Sequence, residues 1–176
     1  MTHYQPRLVA EDLTPGVAHK GPLDQGIADF AAAVVNAKAV DPLITELVRL
    51  RCAQVHDCRL CGSLRNQEAL DQGFDEIMHS KIARYESSDF NPAIIAALQL
   101  CDAIILSPTA ANAALKEKLQ QYFSAAQIAE ICLDVMKWSQ QKALVALRTE
   151  APISDTVSVL SFDQQGNPRL GGPAYS

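Results

Sequence analysis

Apolar residues recur every three or four positions through most of the chain, which is the spacing of one helical face. Proline and capping residues lie between these periodic stretches and indicate where successive helices begin and end. Asp41-Pro42 and Asn91-Pro92 each place an N-cap before a proline at the first helical position. The pattern predicts helices at about residues 25–38, 42–55, 58–72, 75–84, 92–106, 111–123 and 125–148.

The two ends of the chain lack this helical spacing. Residues 1–23 contain three prolines without a sustained period, which predicts an extended N-terminal arm. Residues 156–162 alternate weakly between apolar and polar positions, which indicates one short strand. Residues 163–176 are predicted to form a tail that orders only against a partner. We therefore expect a single all-α domain over residues 1–176, with a helical core at about residues 25–148.

Composition limits the classes of function. A chain of 176 residues with 48% hydrophobic and 20% charged residues is typical of one globular domain. The net charge of -5 and the lack of a basic cluster argue against a nucleic-acid partner. No apolar run approaches the roughly 18 residues of a membrane span, and the N-terminus does not resemble a signal peptide. With an odd number of cysteines, we expect a cytoplasmic protein whose thiols are reduced at rest.

Cys58 and Cys61 form the only C-x-x-C motif in the chain. This spacing is typical of redox dithiols and of metal sites. In the first turn of a helix, unpaired backbone N–H groups and the helix dipole favour the thiolate. One cysteine can then attack an oxidant, and the other can convert the resulting sulfenic acid to a disulfide. A thioredoxin-like frame is disfavoured, because the preceding residues have a helical period where that frame needs a strand.

A zinc site is an alternative interpretation of the same region. Cys52, His56, Cys58 and Cys61 supply four zinc-type ligands within ten residues. To bind one ion together, they require the preceding helix to break between Ala53 and His56. Known sites usually join two ligand pairs through a longer spacer, which makes this arrangement unusual.

The run ELVRLRCAQVHDCRLC, which spans Glu46 to Cys61, resembles the carboxymuconolactone decarboxylase superfamily. More narrowly, it resembles the alkylhydroperoxidase D-like (AhpD-like), peroxidase-related branch, whose pattern is Glu-x11-Cys-x2-Cys-x3-His. Glu46, Cys58 and Cys61 match this pattern, and Arg65 stands where the family has its histidine. The similarity extends over about residues 25–147. It implies an AhpD-like helical bundle whose subunits associate as dimers, trimers or hexamers.

The resemblance also implies a function: a cysteine-dependent hydroperoxide reductase or thiol–disulfide oxidoreductase without metal or organic cofactor. It assigns the nucleophile to Cys61, resolution and exchange with an external dithiol reductant to Cys58, and proton acceptance to Glu46. We expect Arg65 to lower the thiol pKa or to orient Glu46, and His56 is a candidate substitute for the family histidine. A decarboxylase of the same superfamily is a further alternative, although that chemistry does not need the C-x-x-C motif.

Simpler structural roles are also open for several residues. Without the resemblance, Glu46 would be interpreted as a surface acid paired with Arg49, and Arg65 as a solvated helix residue. His56 is expected to interact with exposed carbonyls at a helix C-terminus. Three further cysteines in apolar stretches are expected to be small buried side chains, and Trp138 a core or interface residue. These cysteines are Cys52, Cys101 and Cys132.

Overall fold

The computed structural model describes residues 22–147 and 150–175, apart from the side chain of Asp24, so most of the predicted N-terminal arm lies outside the described residues. The helices are α1 (Pro22–Val35), α2 (Pro42–His56), α3 (Arg59–Gly62), α4 (Gln67–Asp71), α5 (Glu76–Lys81), α6 (Pro92–Leu106), α7 (Ala113–Gln120), α8 (Ala125–Ser139) and α9 (Gln141–Leu147). Two 3-10 turns cover Ile82–Ser87 and Pro108–Ala110. The strands are β1 (Leu64–Asn66), β2 (Ser158–Phe162) and β3 (Pro168–Pro173).

Side-chain caps set the beginnings of the three longest core helices. Asp41 accepts a hydrogen bond of 2.8 Å from the backbone N–H two residues further on, and Asn91 accepts one of 2.9 Å in the same way. Ser124 and Gln127 form a complete capping box at the start of α8. These local signals satisfy backbone groups that a helix leaves unpaired. The predicted starts of α2, α6 and α8 are therefore confirmed, as is the end of α6 at Leu106.

The main hydrophobic core lies where α2, α6 and α8 pack against one another. Burying a leucine or isoleucine side chain completely stabilises the fold by roughly 1.5–3 kcal/mol. Fully buried side chains of this core include Leu47, Leu50, Leu98, Ile131 and Val135. Because α2 is covered by several elements, two of its charged residues, Glu46 and Arg49, are also buried at 1% exposure. α2 therefore places two charged side chains, Glu46 and Arg49, inside the core.

The helix predicted over residues 58–72 is wrong. α3 covers only four residues, β1 follows at Leu64–Asn66, and α4 begins at Gln67 under a cap from Asn66. β1 forms because β2 lies beside it in parallel, with Leu64 opposite Ser158. Because β1 depends on pairing with residues far away in the sequence, its own three residues show no pattern that predicts a strand.

The C-terminal segment forms a small sheet with the order β1-β2-β3. The short strand predicted in residues 156–162 is confirmed by β2. The prediction for the tail is wrong, because β3 pairs antiparallel with β2 within the same chain. The β2–β3 turn packs against α1 through Gly166, where φ is 77° and a Cβ would lie 2.5 Å from the Cα of Ala32. The fold is mostly helical, as predicted, with this sheet at one edge.

Other boundaries differ by a few residues. The helix predicted over residues 125–148 is divided at Gln140 into α8 and α9. α1 covers Pro22–Val35 where the prediction was about residues 25–38, and α5 passes into a 3-10 turn at Ile82. Among the described residues, no single helix is long and apolar enough to cross a membrane, and only the pair Glu76–Ser87 and Pro92–Leu106, bent by 77°, meets that test by length and composition.

Candidate functional site

The turn at the end of α2 brings Cys58 and Cys61 together. Asp57 adopts the left-handed conformation, with φ at 55°, and ends α2. Cys58 itself occupies the N-cap of α3, and its N–H donates to the carbonyl of Ala53 at 2.9 Å. Cys61 follows in the same turn, and the two residues are 3% and 7% exposed. The dithiol therefore lies just beneath the surface.

A hydrogen bond between the two thiols shifts their pKa values in opposite directions. Accepting this bond from Cys61 lowers the pKa of Cys58, against the effects of burial and of the carboxyl group of Glu150. The same bond, together with burial, raises the pKa of Cys61, while the nearby cations Arg49 and Lys137 oppose that rise. The interaction therefore favours the thiolate form of Cys58 over that of Cys61.

A pocket of about 220 Å³ opens beside the dithiol. Cys58 lines it together with Gln54, Asp57 and His79, whereas Cys61 is not among the lining residues. Of the two cysteines, Cys58 is therefore the one that lines this pocket.

Glu46 is connected to the dithiol through Arg49. The guanidinium donates to both carboxylate oxygens, at 2.6 and 2.7 Å, and the backbone N–H of Asn66 donates to the same carboxylate at 3.1 Å. Arg49 also donates to the backbone carbonyls of Cys61, at 2.8 Å, and Leu64, at 2.7 Å. The predicted pairing of Glu46 with Arg49 is confirmed, but the pair is buried and not on the surface.

Arg65 lies on β1 and is only 1% exposed, so its interpretation as a solvated helix residue is wrong. Its guanidinium donates to the carboxylate of Glu76 and to the carbonyl of Gly62, each at 2.8 Å. Glu76 in turn lies 3.2 Å from Nδ1 of His79. Arg65 is therefore connected to the wall of the pocket through Glu76, and His79 is a pocket residue that the sequence pattern left unassigned.

His56 is the last residue of α2, as predicted from the sequence. Its Nε2 lies 3.2 Å from Oγ of Ser139 on α8. Burial and the charge of Lys142 lower its pKa to about 4, so the ring is neutral near pH 7. His56 therefore contacts α8 through the hydroxyl group of Ser139.

Lys137 is a second residue that the sequence analysis missed. Its ammonium group lies 2.9 Å from the ring centroid of Trp138, whose side chain is 8% exposed and belongs to the core. Burial lowers the pKa of Lys137 to about 7, while the negative charge of Cys61 opposes this shift and Arg49 adds to it. Lys137 therefore lies within electrostatic range of Cys61, with a pKa lowered to about 7. No local motif identifies it, because α8 reaches the site only through packing.

Asp134 and Glu150 are two further buried acids. Burial and the charge of Glu130 raise the pKa of Asp134 to about 7, and Asp134 lines a small cavity of about 30 Å³ with Glu46 and Arg49. Glu150 is fully buried and accepts a hydrogen bond of 3.1 Å from Arg59. The charges that act on the pKa values of the two thiols therefore come from α2, α8 and the segment after α9.

The zinc interpretation is wrong for this arrangement. α2 continues unbroken to His56, and the sulfur of Cys52 faces that of Cys101 at 3.7 Å. Within residues 22–147 and 150–175, no group of three or more His, Cys, Asp or Glu side chains is placed to hold a metal ion. The expected burial of Cys52 and Cys101 is confirmed, whereas Cys132 is partly exposed.

The fold and the site together define a mostly helical protein with a shallowly buried, hydrogen-bonded dithiol. No protein-family model matches the chain. Two uncharacterized proteins from strains of Mycobacterium tuberculosis are 36% identical to it over 124 residues. That match covers 70% of this chain but 44% of each relative, so the chain spans less than half the length of these proteins.

A solved structure from Agrobacterium tumefaciens has the same fold. It is described as a protein of unknown function, and its name suggests an antioxidant defence protein, AhpD. The two structures agree with a TM-score of 0.65 over 85% of this chain and 100% of that one, at 18% sequence identity. The likeness shows an AhpD-like fold, which is the fold that the resemblance at Glu46 to Cys61 predicts.

Proposed function

We propose that the chain is a cysteine-dependent hydroperoxide reductase of the AhpD-like branch of the carboxymuconolactone decarboxylase superfamily. The observation that carries this proposal is the buried pair of Cys58 and Cys61, whose interaction lowers the pKa of Cys58, beside a pocket that Cys58 lines. A thiolate is the reactive form of cysteine, and a neighbouring thiol can resolve the product of its oxidation. The AhpD-like fold of the solved structure supports the same proposal.

In the first step, the Cys58 thiolate attacks one oxygen of the hydroperoxide and the O–O bond breaks. The alkoxide leaves as the alcohol after taking a proton from pocket water, and Cys58 becomes a sulfenic acid. The family resemblance implies the opposite order, with Cys61 attacking first. We assign the first attack to Cys58 because it lines the pocket and accepts the hydrogen bond from Cys61.

In the second step, Cys61 attacks the sulfur of the sulfenic acid, and the oxygen leaves as water. Cys61 must first lose its proton, and burial raises its pKa. We propose that the neutral amine of Lys137, whose pKa is about 7, accepts this proton and returns it to the leaving hydroxide. The Cys58–Cys61 disulfide is then reduced by an external dithiol that attacks through the pocket.

We propose Glu46 as a positioning residue that acts through Arg49. Its carboxylate is engaged by the guanidinium and by the N–H of Asn66, and the same guanidinium holds the carbonyl of Cys61. The role of direct proton acceptor, which the resemblance implies for Glu46, is assigned here to Lys137. Arg65 is proposed to position His79 through Glu76 rather than to contact the thiols.

The proposal is tested by following hydrogen peroxide and cumene hydroperoxide in the presence of dithiothreitol. We expect the wild-type chain to consume both faster than the reductant alone, and the double variant Cys58→Ser, Cys61→Ser to lose most of this activity. Cys132→Ser is the matched control, because Cys132 is a partly exposed cysteine outside the site. Consumption by the double variant at the wild-type rate, or no consumption by the wild type, would exclude the proposed function.

We also propose that the chain forms a homo-oligomer, a dimer, trimer or hexamer as the resemblance implies. In support, α8 exposes the apolar side chains of Leu133 and Met136 to 43% and 56%. Light scattering at micromolar concentration checks this, and a monomeric mass would contradict it.

A further inference from the structure

A second pair of cysteines lies in the core, outside the proposed site. Cys52 belongs to α2 and Cys101 to α6, and their sulfur atoms are 3.7 Å apart. Both residues are completely buried. The hydrogen bond to Cys52, together with burial, raises the pKa of Cys101. Cys101 is therefore held in its thiol form.

The geometry allows these sulfurs to form a bond. A disulfide needs the two atoms at about 2.05 Å, which is less than 2 Å closer than they now lie. α2 and α6 pack against each other along the core, so we expect rotation of the two side chains to provide this approach without separating the helices. Packing alone would bring any two small side chains together here, but only two thiols can be joined by oxidation.

We propose that Cys52 and Cys101 form a second redox site, a dithiol that a hydroperoxide converts to a disulfide linking α2 to α6. One thiol loses its proton and attacks the peroxide, which gives a sulfenic acid and releases the alcohol. The second thiol then attacks that sulfur, the S–S bond forms, and water leaves. Two thiols are oxidised and one hydroperoxide is reduced, so the step needs no reactant beyond the peroxide.

The burial of Cys52 and Cys101 limits the rate at which a hydroperoxide oxidises them. Neither sulfur is exposed, so the peroxide reaches them only when the packing of α2 and α6 opens locally. The high pKa of Cys101 further reduces the thiolate fraction. We expect oxidation of this pair to be at least about tenfold slower than oxidation of Cys58 and Cys61, since an opening that costs 1.4 kcal/mol already gives that factor.

Closing the bond is expected to clamp the core. The two cysteines are 49 positions apart, so the disulfide restricts a long loop of the unfolded chain. For a chain of this size we expect the Tm to rise by roughly 5–15 °C on oxidation and to return when dithiothreitol is added. The clamp also restrains α2, the helix that carries Arg49 against Cys61.

The proposal is tested on the double variant Cys58→Ser, Cys61→Ser, which removes the proposed catalytic dithiol and keeps this pair. In that variant each remaining cysteine falls in a different tryptic peptide, at residues 52–59, 85–116 and 119–137. After hydrogen peroxide treatment, acid quenching and digestion without reductant, we expect peptide 52–59 linked to 85–116, with the loss of two hydrogens. Peptide 119–137, which carries Cys132, is the internal control and should remain unlinked.

The result that overturns the proposal is a pair of free thiols at Cys52 and Cys101 after prolonged exposure, or separate sulfonic acids on them. If the double variant does not fold, the same comparison is made between the wild type and Cys101→Ala. Oxidised wild type should then show a Tm increase that the alanine variant lacks, and equal Tm changes in the two proteins would exclude the clamp. Because the linked peptide is read without Cys58 and Cys61, this outcome is independent of the proposed peroxidase activity.

Discussion

Arg49 donates a hydrogen bond of 2.8 Å to the backbone carbonyl of Cys61. The same guanidinium holds both carboxylate oxygens of Glu46, and both side chains are buried at 1% exposure. The acid that the family pattern singles out is therefore tied to the dithiol by an arginine that the pattern does not include. Removing one partner of a buried ion pair destabilises the fold, because the other charge is left buried without compensation.

We therefore predict that Glu46→Gln destabilises the fold by roughly 3 kcal/mol, because Arg49 remains buried without its counter-charge. The variant should also slow closure of the Cys58–Cys61 disulfide, because Arg49 no longer holds the carbonyl of Cys61 in place. Urea unfolding measures the first effect, and stopped-flow oxidation measures the second.

Glu68→Gln is the matched control for this prediction. Glu68 pairs with Lys38 at 2.6 Å, but both side chains are more than half exposed. A surface pair contributes about 0–1 kcal/mol, so this variant should change the free energy of unfolding by less than that. Equal destabilisation by the two substitutions would contradict the role assigned to the buried pair.

The order of the two cysteines can be decided by trapping. If Cys58 attacks first, Cys61→Ser should still react once with peroxide and leave a sulfenic acid on Cys58 that dimedone labels. Cys58→Ser should not react at a comparable rate, because the remaining thiol does not line the pocket and its pKa is raised by burial. Dimedone found on Cys61 in the Cys58→Ser protein, with fast peroxide consumption, would restore the order that the family resemblance implies.

The substitution Lys137→Arg tests whether Lys137 transfers a proton or acts only through its positive charge. Arginine keeps the positive charge but does not give up its proton near neutrality. We predict that disulfide closure slows by about 10²–10⁴-fold while the first reaction with peroxide is little changed, so that sulfenic acid accumulates. In the wild type, closure should accelerate as pH rises through about 7, the pKa of Lys137.

Lys142→Arg is the control for this substitution, because Lys142 acts on the pKa of His56 and not on that of either thiol of the site. Closure in Lys142→Arg should keep the wild-type rate and pH profile. An unchanged closure rate in Lys137→Arg would show that Lys137 supplies only charge.

Asp134 makes the stability of the fold depend on pH. Burial raises its pKa from an ordinary value of 3.8 to about 7, so between these values the folded chain holds a proton that the unfolded chain has lost. The free energy of unfolding is therefore highest at low pH as far as Asp134 determines it. This contribution falls as pH rises from about 4 to about 7 and is constant above that range. Asp134→Asn should remove this slope and stabilise the chain at pH 8 by up to about 4 kcal/mol.

Urea unfolding between pH 4 and pH 8 measures this effect. Asp29→Asn makes the same chemical change on the exposed surface of α1 and should leave the slope as it is in the wild type. A slope that persists in Asp134→Asn would show that another group is responsible.

The sequence by itself determined the helical core of this protein. Asp41, Asn91 and Ser124 act on backbone groups within a few residues, so the helices that they begin could be predicted without any tertiary information. The C-x-x-C motif was equally visible, because its chemistry requires only the spacing of Cys58 and Cys61.

Only the tertiary structure decided what surrounds the dithiol. Leu64–Asn66 became a strand instead of a helix because β2 lies beside it, and this moved Arg65 away from the position that helical spacing assigned to it. Lys137 and Glu150 reach the thiols from distant parts of the chain, and the pairing of Cys52 with Cys101 depends on how α2 packs on α6. The physical reason is one of range: caps and helical periods act between neighbours in sequence, whereas burial, strand pairing and the charge around a thiol depend on residues that only folding brings together.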